Sequence, residues 1–446
     1  MTSIWSYFFD PLLQASTLGS MLMCLASSLV GVMVFLRKRS LLGETLSHAC
    51  YPGVVFGIVI ASFFFPEAEE VIAVAILVGA FIFSMMALVC LDFLEKRLSV
   101  KSDAALCFIL ATFFGLGVLL ASRVQFTHMR LFKQMQVFLY GQAATMHMTH
   151  VMIYASLAAL IAFFLYIFYR PLQMTTFDRD FSKSIGLSTK YMDTTIFVLL
   201  GIAIVVGIRS VGVVLMSGML ILPPVAARFL TNRLSSLFFM AGLIGMISGF
   251  FGNYLSIEIP AVLIEGHPDW KFSLPTGPMI ILCAASICFF LFFFSTEKGL
   301  CRRFFRIISF RNRCLEENIL KSFWKKGEGQ NVPVKTISWL SSISFFHVKF
   351  SFWKMQMHGW LEKIDKNVYR LTQDGFIRAQ KVVRLHRLWE VYLVDYLGQG
   401  AEKVHANAET MEHMITPELE KELIDLLGNP QKDPHHQPIP PKRGGL

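Results

Sequence analysis

Met279-Ile280-Ile281-Leu282-Cys283-Ala284-Ala285-Ser286-Ile287-Cys288-Phe289-Phe290-Leu291-Phe292-Phe293-Phe294 carries no charge, and Lys298, Arg302, Arg303 and Arg306 follow it almost at once. With its lead-in from Gly277, the run is long enough to cross a hydrocarbon core as one helix. The basic cluster behind it marks a cytoplasmic end. Upstream, comparable runs recur near 16–36, 46–65, 71–91, 105–121, 149–169, 192–208, 211–230 and 234–256, which predicts about nine spans in all. Downstream, from about Glu316, the chain turns polar and His-rich. The sequence therefore reads as two proteins joined end to end.

Composition agrees. A mean hydropathy of +0.54, with 54% hydrophobic residues and 42 Phe, exceeds what a soluble globular chain needs, so the class is a polytopic α-helical membrane protein. The 8 cysteines show no C-x-x-C pairing and lie mostly in apolar runs, where they read as small buried hydrophobes rather than disulfides or a zinc site. The N-terminus lacks a basic region followed by a small-residue cleavage site, so the first span is expected to drive insertion. No G-x-x-x-x-G-K-[ST] loop is present, which excludes a phosphate cradle of the chain's own.

Loop charges set the orientation. Arg37, Lys38 and Arg39 follow the first span, Lys96, Arg97 and Lys101 the third, and Arg228 and Arg233 the seventh. Glu67, Glu69 and Glu70, and later Glu258, Glu265 and Asp269, fall on the opposite side. By the positive-inside rule, odd-numbered spans end in the cytoplasm, and so does the C-terminal half. Arg123, Arg130 and Lys133 in one long loop, and Arg209 in a short turn, run against this scheme. The formal charge of +10 resides largely at cytoplasmic loop ends and in the stretch from Lys298 to Lys326, which suits an anionic membrane surface or proximity to nucleic acid.

Ionisable residues within spans are costly unless they face a cavity or a partner. Glu44 and His48 stand at i, i+4 spacing and share one helical face. A carboxylate beside an imidazole suits transient binding of a divalent transition metal in a transport path. The same two residues would also serve as interfacial polar groups near the cytoplasmic boundary. Pro223-Pro224 falls inside a span, where freed carbonyls need a partner or a cavity, and Ser273-Leu274-Pro275-Thr276-Gly277-Pro278 opens the final one.

Four ordered motifs carry a resemblance: Gly43-Glu44-Thr45-Leu46-Ser47-His48-Ala49 with Tyr51-Pro52-Gly53; Phe177-Asp178-Arg179-Asp180-Phe181-Ser182-Lys183-Ser184-Ile185-Gly186-Leu187; Val211-Gly212-Val213-Val214-Leu215 through Pro223-Pro224-Val225-Ala226-Ala227-Arg228; and Leu274-Pro275-Thr276-Gly277-Pro278. Together they resemble the permeases of ABC-type zinc, manganese and iron importers. The resemblance implies a type II importer fold, a second permease subunit, a separate ATP-binding subunit, an extracytoplasmic metal-binding protein and a bacterial inner-membrane location. It also implies that Phe177, Asp178, Phe181 and Gly186 belong to the helix that couples to the ATPase. Family members usually carry Asp at the position of Glu44.

In the C-terminal half, helical patterns near 315–326, 334–342 and 345–358, followed by Gly359 to Thr372 as a hairpin, predict a winged helix-turn-helix. A longer helix follows, from about Phe376 to Gly398. His386 and Glu390 lie one turn apart on it, and His405, Glu409, Glu412 and His413 share a face of the next helix. Imidazole mixed with carboxylate suits first-row divalent metals, and the missing thiolate argues against purely structural zinc.

Arg384-Leu385-His386-Arg387-Leu388-Trp389-Glu390, Lys403-Val404-His405, Glu412-His413 and Pro438-Ile439-Pro440 resemble the metal-activated repressors of the diphtheria-toxin-repressor and manganese-repressor family. By that resemblance His386, Glu390 and His405 belong to an ancillary site and Glu409, Glu412 and His413 to the primary one, with iron or manganese as the cofactor. Glu409 leans towards manganese. Asn318 replaces a usual Met or Asp ligand, and an amide oxygen is the weaker donor. The expected recognition helix, 344–354, carries aromatics where the family has small polar residues; His347, Lys349 and Ser351 are its DNA-facing candidates.

The chain as a whole resembles the permease–repressor fusions of obligate intracellular bacteria. It is expected to comprise a permease at 1–297, a basic linker and possible cleavage region at 298–315, a winged helix-turn-helix at 316–375 and a metal-binding, dimerising domain at 376–446. The resemblance implies operator DNA and a second copy of the C-terminal domain as partners; since a palindromic operator is awkward for a domain tethered at the bilayer, release by proteolysis within about Lys298–Lys326 is expected. The alternative is a cytoplasmic domain that senses metal and gates transport without touching DNA.

Overall fold

A computed structural model describes residues 4–441, except 66–68, 128, 130, 133–140, 142–145, 267–272, 297, 328, 401–403, 405–407 and 410. It divides into two units, Met1–Arg302 and Arg303–Leu446.

Among the described residues the regular structure of the first unit is all helical: α1 Ser6–Phe9, α2 Pro11–Leu36, α3 Leu41–Phe64, α4 Glu69–Lys96, α5 Ser102–Thr127, α6 Met148–Ile167, α7 Tyr169–Phe177, α8 Arg179–Ser184, α9 Thr189–Val211, α10 Val213–Leu230, α11 Leu234–Gly266 and α12 Thr276–Phe294. Local signals set several of the starts. Asp10 caps α2, accepting the Leu12 N–H at 3.0 Å, with Pro11 in the first turn where no N–H is missed. Among the described residues eight helices are long and apolar enough to cross a membrane, and Met216–Leu230 within α10 is a shorter ninth apolar helix. Each expected span has its helix.

Two details differ from expectation. Arg209 is not in a turn: α9 runs to Val211 and only Gly212, at φ +92, separates it from α10. A positive φ is open to glycine, so the chain changes direction in one residue. Glu258 is not a loop charge either. Helix α11 continues well past 256, and the Glu258 carboxylate is buried, accepting the Tyr7 hydroxyl at 3.0 Å. Arg130, Lys133, Glu67 and Asp269 lie outside the described residues.

Helices α2 and α3 form the centre of this unit, with 72% and 67% of their apolar windows buried against 22% for α12. Small residues make the close contacts there. A Cβ on Gly53 would lie 2.2 Å from the Gly79 carbonyl oxygen of α4, and one on Gly31 would lie 2.1 Å from that of Leu220. Pro224 has no N–H to offer Leu220, four residues back, so that carbonyl is free of its helical bond and rests against α2. The Leu220 side chain meets Gly43 at the head of α3.

The second unit begins within α13, Leu300–Trp324, then β1 Val332–Pro333, two 3₁₀ turns at Val334–Thr336 and Ser338–Ser342, α14 Phe345–Met357, β2 Leu361–Asp365, β3 Val368–Leu371, α15 Gln373–Asp395, a 3₁₀ turn Glu412–Met414 and α16 Pro417–Leu427. Strands β2 and β3 form the expected hairpin, turning at Asn367 with φ +63, and β1 adds to β3 to make an antiparallel sheet ordered β1-β3-β2. Ile319, Leu320, Phe323, Phe352, Met355 and Leu371 share the core beneath it.

Two expectations change here. The segment 334–342 is 3₁₀ rather than α-helix, and the linker 298–315 is helical from Leu300 onward. No glycine or proline interrupts 300–324, so the linker residues simply extend the helix that follows.

Candidate metal sites

In the first unit Glu44 and His48 lie in the opening turns of α3, both half-buried. The His48 ring packs edge-on against Phe114, centroids 4.7 Å apart, and its Nδ1 is buried without a hydrogen-bond partner among the described residues. A buried unpaired ring nitrogen is costly and calls for an explanation. Here it is one turn from a carboxylate.

The segment from Phe177 to Gly186 folds as the end of α7 and the short α8. Asp178 caps α8 by accepting the Phe181 N–H at 2.9 Å, while the Phe177 and Phe181 side chains are 66% and 51% exposed. These two rings and Asp178 line an open hollow of about 550 Å³ with Arg170, Gln173 and Met174. Gly186 has φ +82 and no atom within 4 Å of where a Cβ would be, so backbone conformation rather than crowding requires glycine. Asp193 joins this segment to the core of the first unit: Arg37 Nη1 reaches Oδ1 at 2.5 Å and Arg179 Nη2 reaches Oδ2 at 3.3 Å.

In the second unit α15 and the 3₁₀ turn at Glu412 bring His386, Glu390, Glu412 and His413 together in the interior. His386 Nε2 is 3.1 Å from Glu390 Oε1, and its Nδ1 makes a close contact with Glu412 Oε2. His413 Nδ1 bonds Glu317 Oε2 at 2.7 Å, and Nε2 is buried with no hydrogen bond among the described residues, 3.6 Å from Glu412 Oε1. Glu409 is set further out, its side chain 52% exposed. His405 lies outside the described residues.

Two participants were not anticipated from the sequence, Glu317 and Lys321, one turn apart on α13. Lys321 Nζ sits 3.0 Å from Glu412 Oε2, 3.1 Å from His386 Nδ1 and 3.8 Å from Glu409 Oε1. Glu317 also takes Arg313 Nε at 3.0 Å and Arg378 Nη2 at 3.4 Å. Their i, i+4 spacing, beside the buried Ile319, Leu320 and Phe323, was the available signal, since charges among core positions need partners. Burial works against the charged Glu317, but its bonds to His413 and Arg313 prevail and hold it below the usual carboxylate range. Burial likewise opposes protonated His386, yet bonds to Glu390 and Glu412 raise it above the ordinary histidine value.

The donor chemistry, imidazole and carboxylate with one orphaned ring nitrogen, fits a first-row divalent cation. As the side chains stand, no three His, Cys, Asp or Glu groups converge at a metal-holding point among the described residues. The Lys321 ammonium lies beside the His386–Glu412 pair.

On the expected recognition helix, α14, His347 and Lys349 are exposed, but Ser351 is 1% exposed. It shares the core-facing side with Phe352 and Met355, so it presents nothing to DNA. Phe345, Phe346, Phe350 and Trp353 point outward instead.

Residues 9–295 match the ABC 3 transport family, and residues 372–441 match the iron dependent repressor, metal binding and dimerisation domain. A Chlamydia trachomatis protein named a probable metal transport system membrane protein is 35% identical over 97% of this chain and 97% of its own length. A Bacillus subtilis manganese transport system membrane protein is 27% identical over 88% of this chain and 86% of its own. Among solved structures, PsaBC from Streptococcus pneumoniae in complex with Fab superposes with a TM-score of 0.55 at 24% identity, covering 66% of this chain and 96% of that one, a likeness of fold.

Proposed function

Because this chain belongs to the ABC 3 transport family, we propose that it is the membrane-spanning subunit of an ATP-driven importer of a divalent transition metal. Its C-terminal domain binds the same class of ion, manganese or iron, and acts as a metal-dependent repressor. The full assembly comprises a second permease subunit, a separate ATP-binding subunit docked on Phe177, Asp178, Phe181 and Gly186, and an extracytoplasmic metal-binding protein. The C-terminal domain lies in the cytoplasm, dimerises and contacts operator DNA through His347 and Lys349.

The observation that carries the transport reading is the orphaned Nδ1 of His48, one turn from Glu44 at the head of the central helix α3. Uptake of radioactive manganese, iron and zinc by cells producing the complete importer tests it. Glu44→Ala and His48→Ala are each expected to lower uptake by about tenfold or more, the scale already seen when only the groups that orient a metal's ligands are lost. Unchanged uptake by both variants would defeat the reading.

Release of the repressor is proposed to occur in 298–315. Residues 302–311 of α13 are exposed all round, so only the helix's own ladder holds them, and such a segment opens at low cost. Blotting cells for the C-terminal half is expected to reveal a soluble fragment beside the full chain; full-length protein alone would count against release.

A second reading has its own support in the outward Phe345, Phe346, Phe350 and Trp353 of α14, which are unlike a DNA-reading surface. In it the cytoplasmic domain senses metal and gates transport. A mobility-shift assay of the second unit on the chain's own promoter separates the two: a manganese- or iron-dependent shift supports repression, and metal binding without a shift supports gating.

A further inference from the structure

A lysine is an odd resident for a cluster whose donors suit a metal. Lys321 is 5% exposed, and its ammonium has been withdrawn from water at a cost that only close anionic partners offset. Those partners are the carboxylate of Glu412, completely buried, and, further off, that of Glu409, while the neighbouring His386 Nδ1 is 3.1 Å away. The lysine comes from α13, whereas His386 comes from α15 and Glu409 and Glu412 from the chain that follows it. The tethered cation therefore links two segments much as a shared metal ion would. It also lies where its charge competes with one, since the ammonium stands within hydrogen-bond distance of both Glu412 Oε2 and His386 Nδ1, which touch each other directly.

We infer that Lys321 is a built-in counter-cation of the C-terminal metal cluster, one that holds the cluster together in the metal-free protein and must swing out before a divalent cation is bound. The inference rests on the reading that this cluster takes a metal. Its consequence is a raised threshold for sensing: the cluster is competent only in the fraction of molecules whose lysine is displaced, and the apparent dissociation constant is increased by the inverse of that fraction. The four-carbon stem gives the ammonium room to withdraw towards solvent past the exposed Glu409.

The test uses the full chain in detergent micelles, with Glu44→Ala and His48→Ala to silence the transport path, titrated with manganese while paramagnetic resonance reads the free ion. Lys321→Met, which keeps the stem and removes the charge, is expected to bind manganese roughly tenfold or more tightly than the parent, as expected if the lysine is displaced in a tenth of molecules or fewer. Lys321→Arg, which keeps the charge, is expected to bind no more tightly. Equal affinity of Lys321→Met and the parent would overturn the inference while leaving the metal reading intact. No binding by either would overturn the metal reading and the inference with it.

Because removing a buried cation can unfold a domain, the protein with native Lys321 supplies an independent measurement. Acetylation of Lys321, followed by mass spectrometry, is expected to be slow without metal and at least several-fold faster with saturating manganese. Unchanged reactivity at saturation would overturn the inference.

Discussion

Arg37, at the end of α2, and Asp193, near the start of α9, are joined Nη1 to Oδ1 at 2.5 Å, and the second Asp193 oxygen takes Arg179 from α8. One carboxylate thus connects the loop helix beside the exposed Phe177 and Phe181 to the segment leading into Glu44 and His48. The Arg37 side chain is 7% exposed, and its Nε and Nη2 find no acceptor among the described residues, so Asp193 is the main compensation for a largely buried charge.

Asp193→Asn should therefore weaken the link between ATP hydrolysis and transport. Residues carrying such links change coupling by about 0.5–2 kcal/mol, or roughly 2- to 30-fold. The check is metal uptake per ATP hydrolysed in proteoliposomes. Full uptake with unchanged stoichiometry would exclude the role.

Phe177 and Phe181 spend apolar surface on solvent, which is favourable only if a partner covers it. Phe181→Glu should abolish co-purification of the ATP-binding subunit while leaving the permease inserted and monodisperse. Retained co-purification would place the docking surface elsewhere.

The Gly31 contact with the Leu220 carbonyl leaves no space for a side chain. Gly31→Val should destabilise the permease by overpacking, by about 1–3 kcal/mol or more, read as a lower midpoint of thermal unfolding in detergent. Gly115→Ala, where nothing lies within 4 Å of the added carbon, is the matched control and should be close to neutral.

In the second unit Phe323 is 1% exposed and packs across the core on Phe352, ring centroids 6.2 Å apart. Phe323→Ala should cost about 3–5 kcal/mol of that unit's stability. Because Lys321 and Glu317 share its helix, the variant should also lose metal-dependent protection from proteolysis; full protection would mean that α13 does not organise the cluster.

Much of the permease was legible because a bilayer leaves few choices. Backbone groups in hydrocarbon must bond within their own segment, so apolar runs near 20 residues become helices, and each expected run did. Boundaries were less so. Glu258 read as a loop charge because hydropathy registers a carboxylate but not a tyrosine hydroxyl more than two hundred residues away that satisfies it. In the C-terminal half, the hairpin and the i, i+4 pair His386 and Glu390 followed from local spacing, whereas Ser351 went to the core because its partners on α14, Phe352 and Met355, outweigh one hydroxyl.

By itself the sequence determined that the chain crosses the membrane repeatedly, that a polar domain follows, and that imidazoles and carboxylates gather at its end, because periodicity, hydropathy and donor type are properties of neighbours along the chain. Only the tertiary structure decided what those donors face. Lys321 stands sixty-five residues from His386 and ninety-one from Glu412, and no local pattern could put its ammonium beside them. That placement follows from packing α13 against α15, where a charge removed from water comes to rest on the nearest opposite charge.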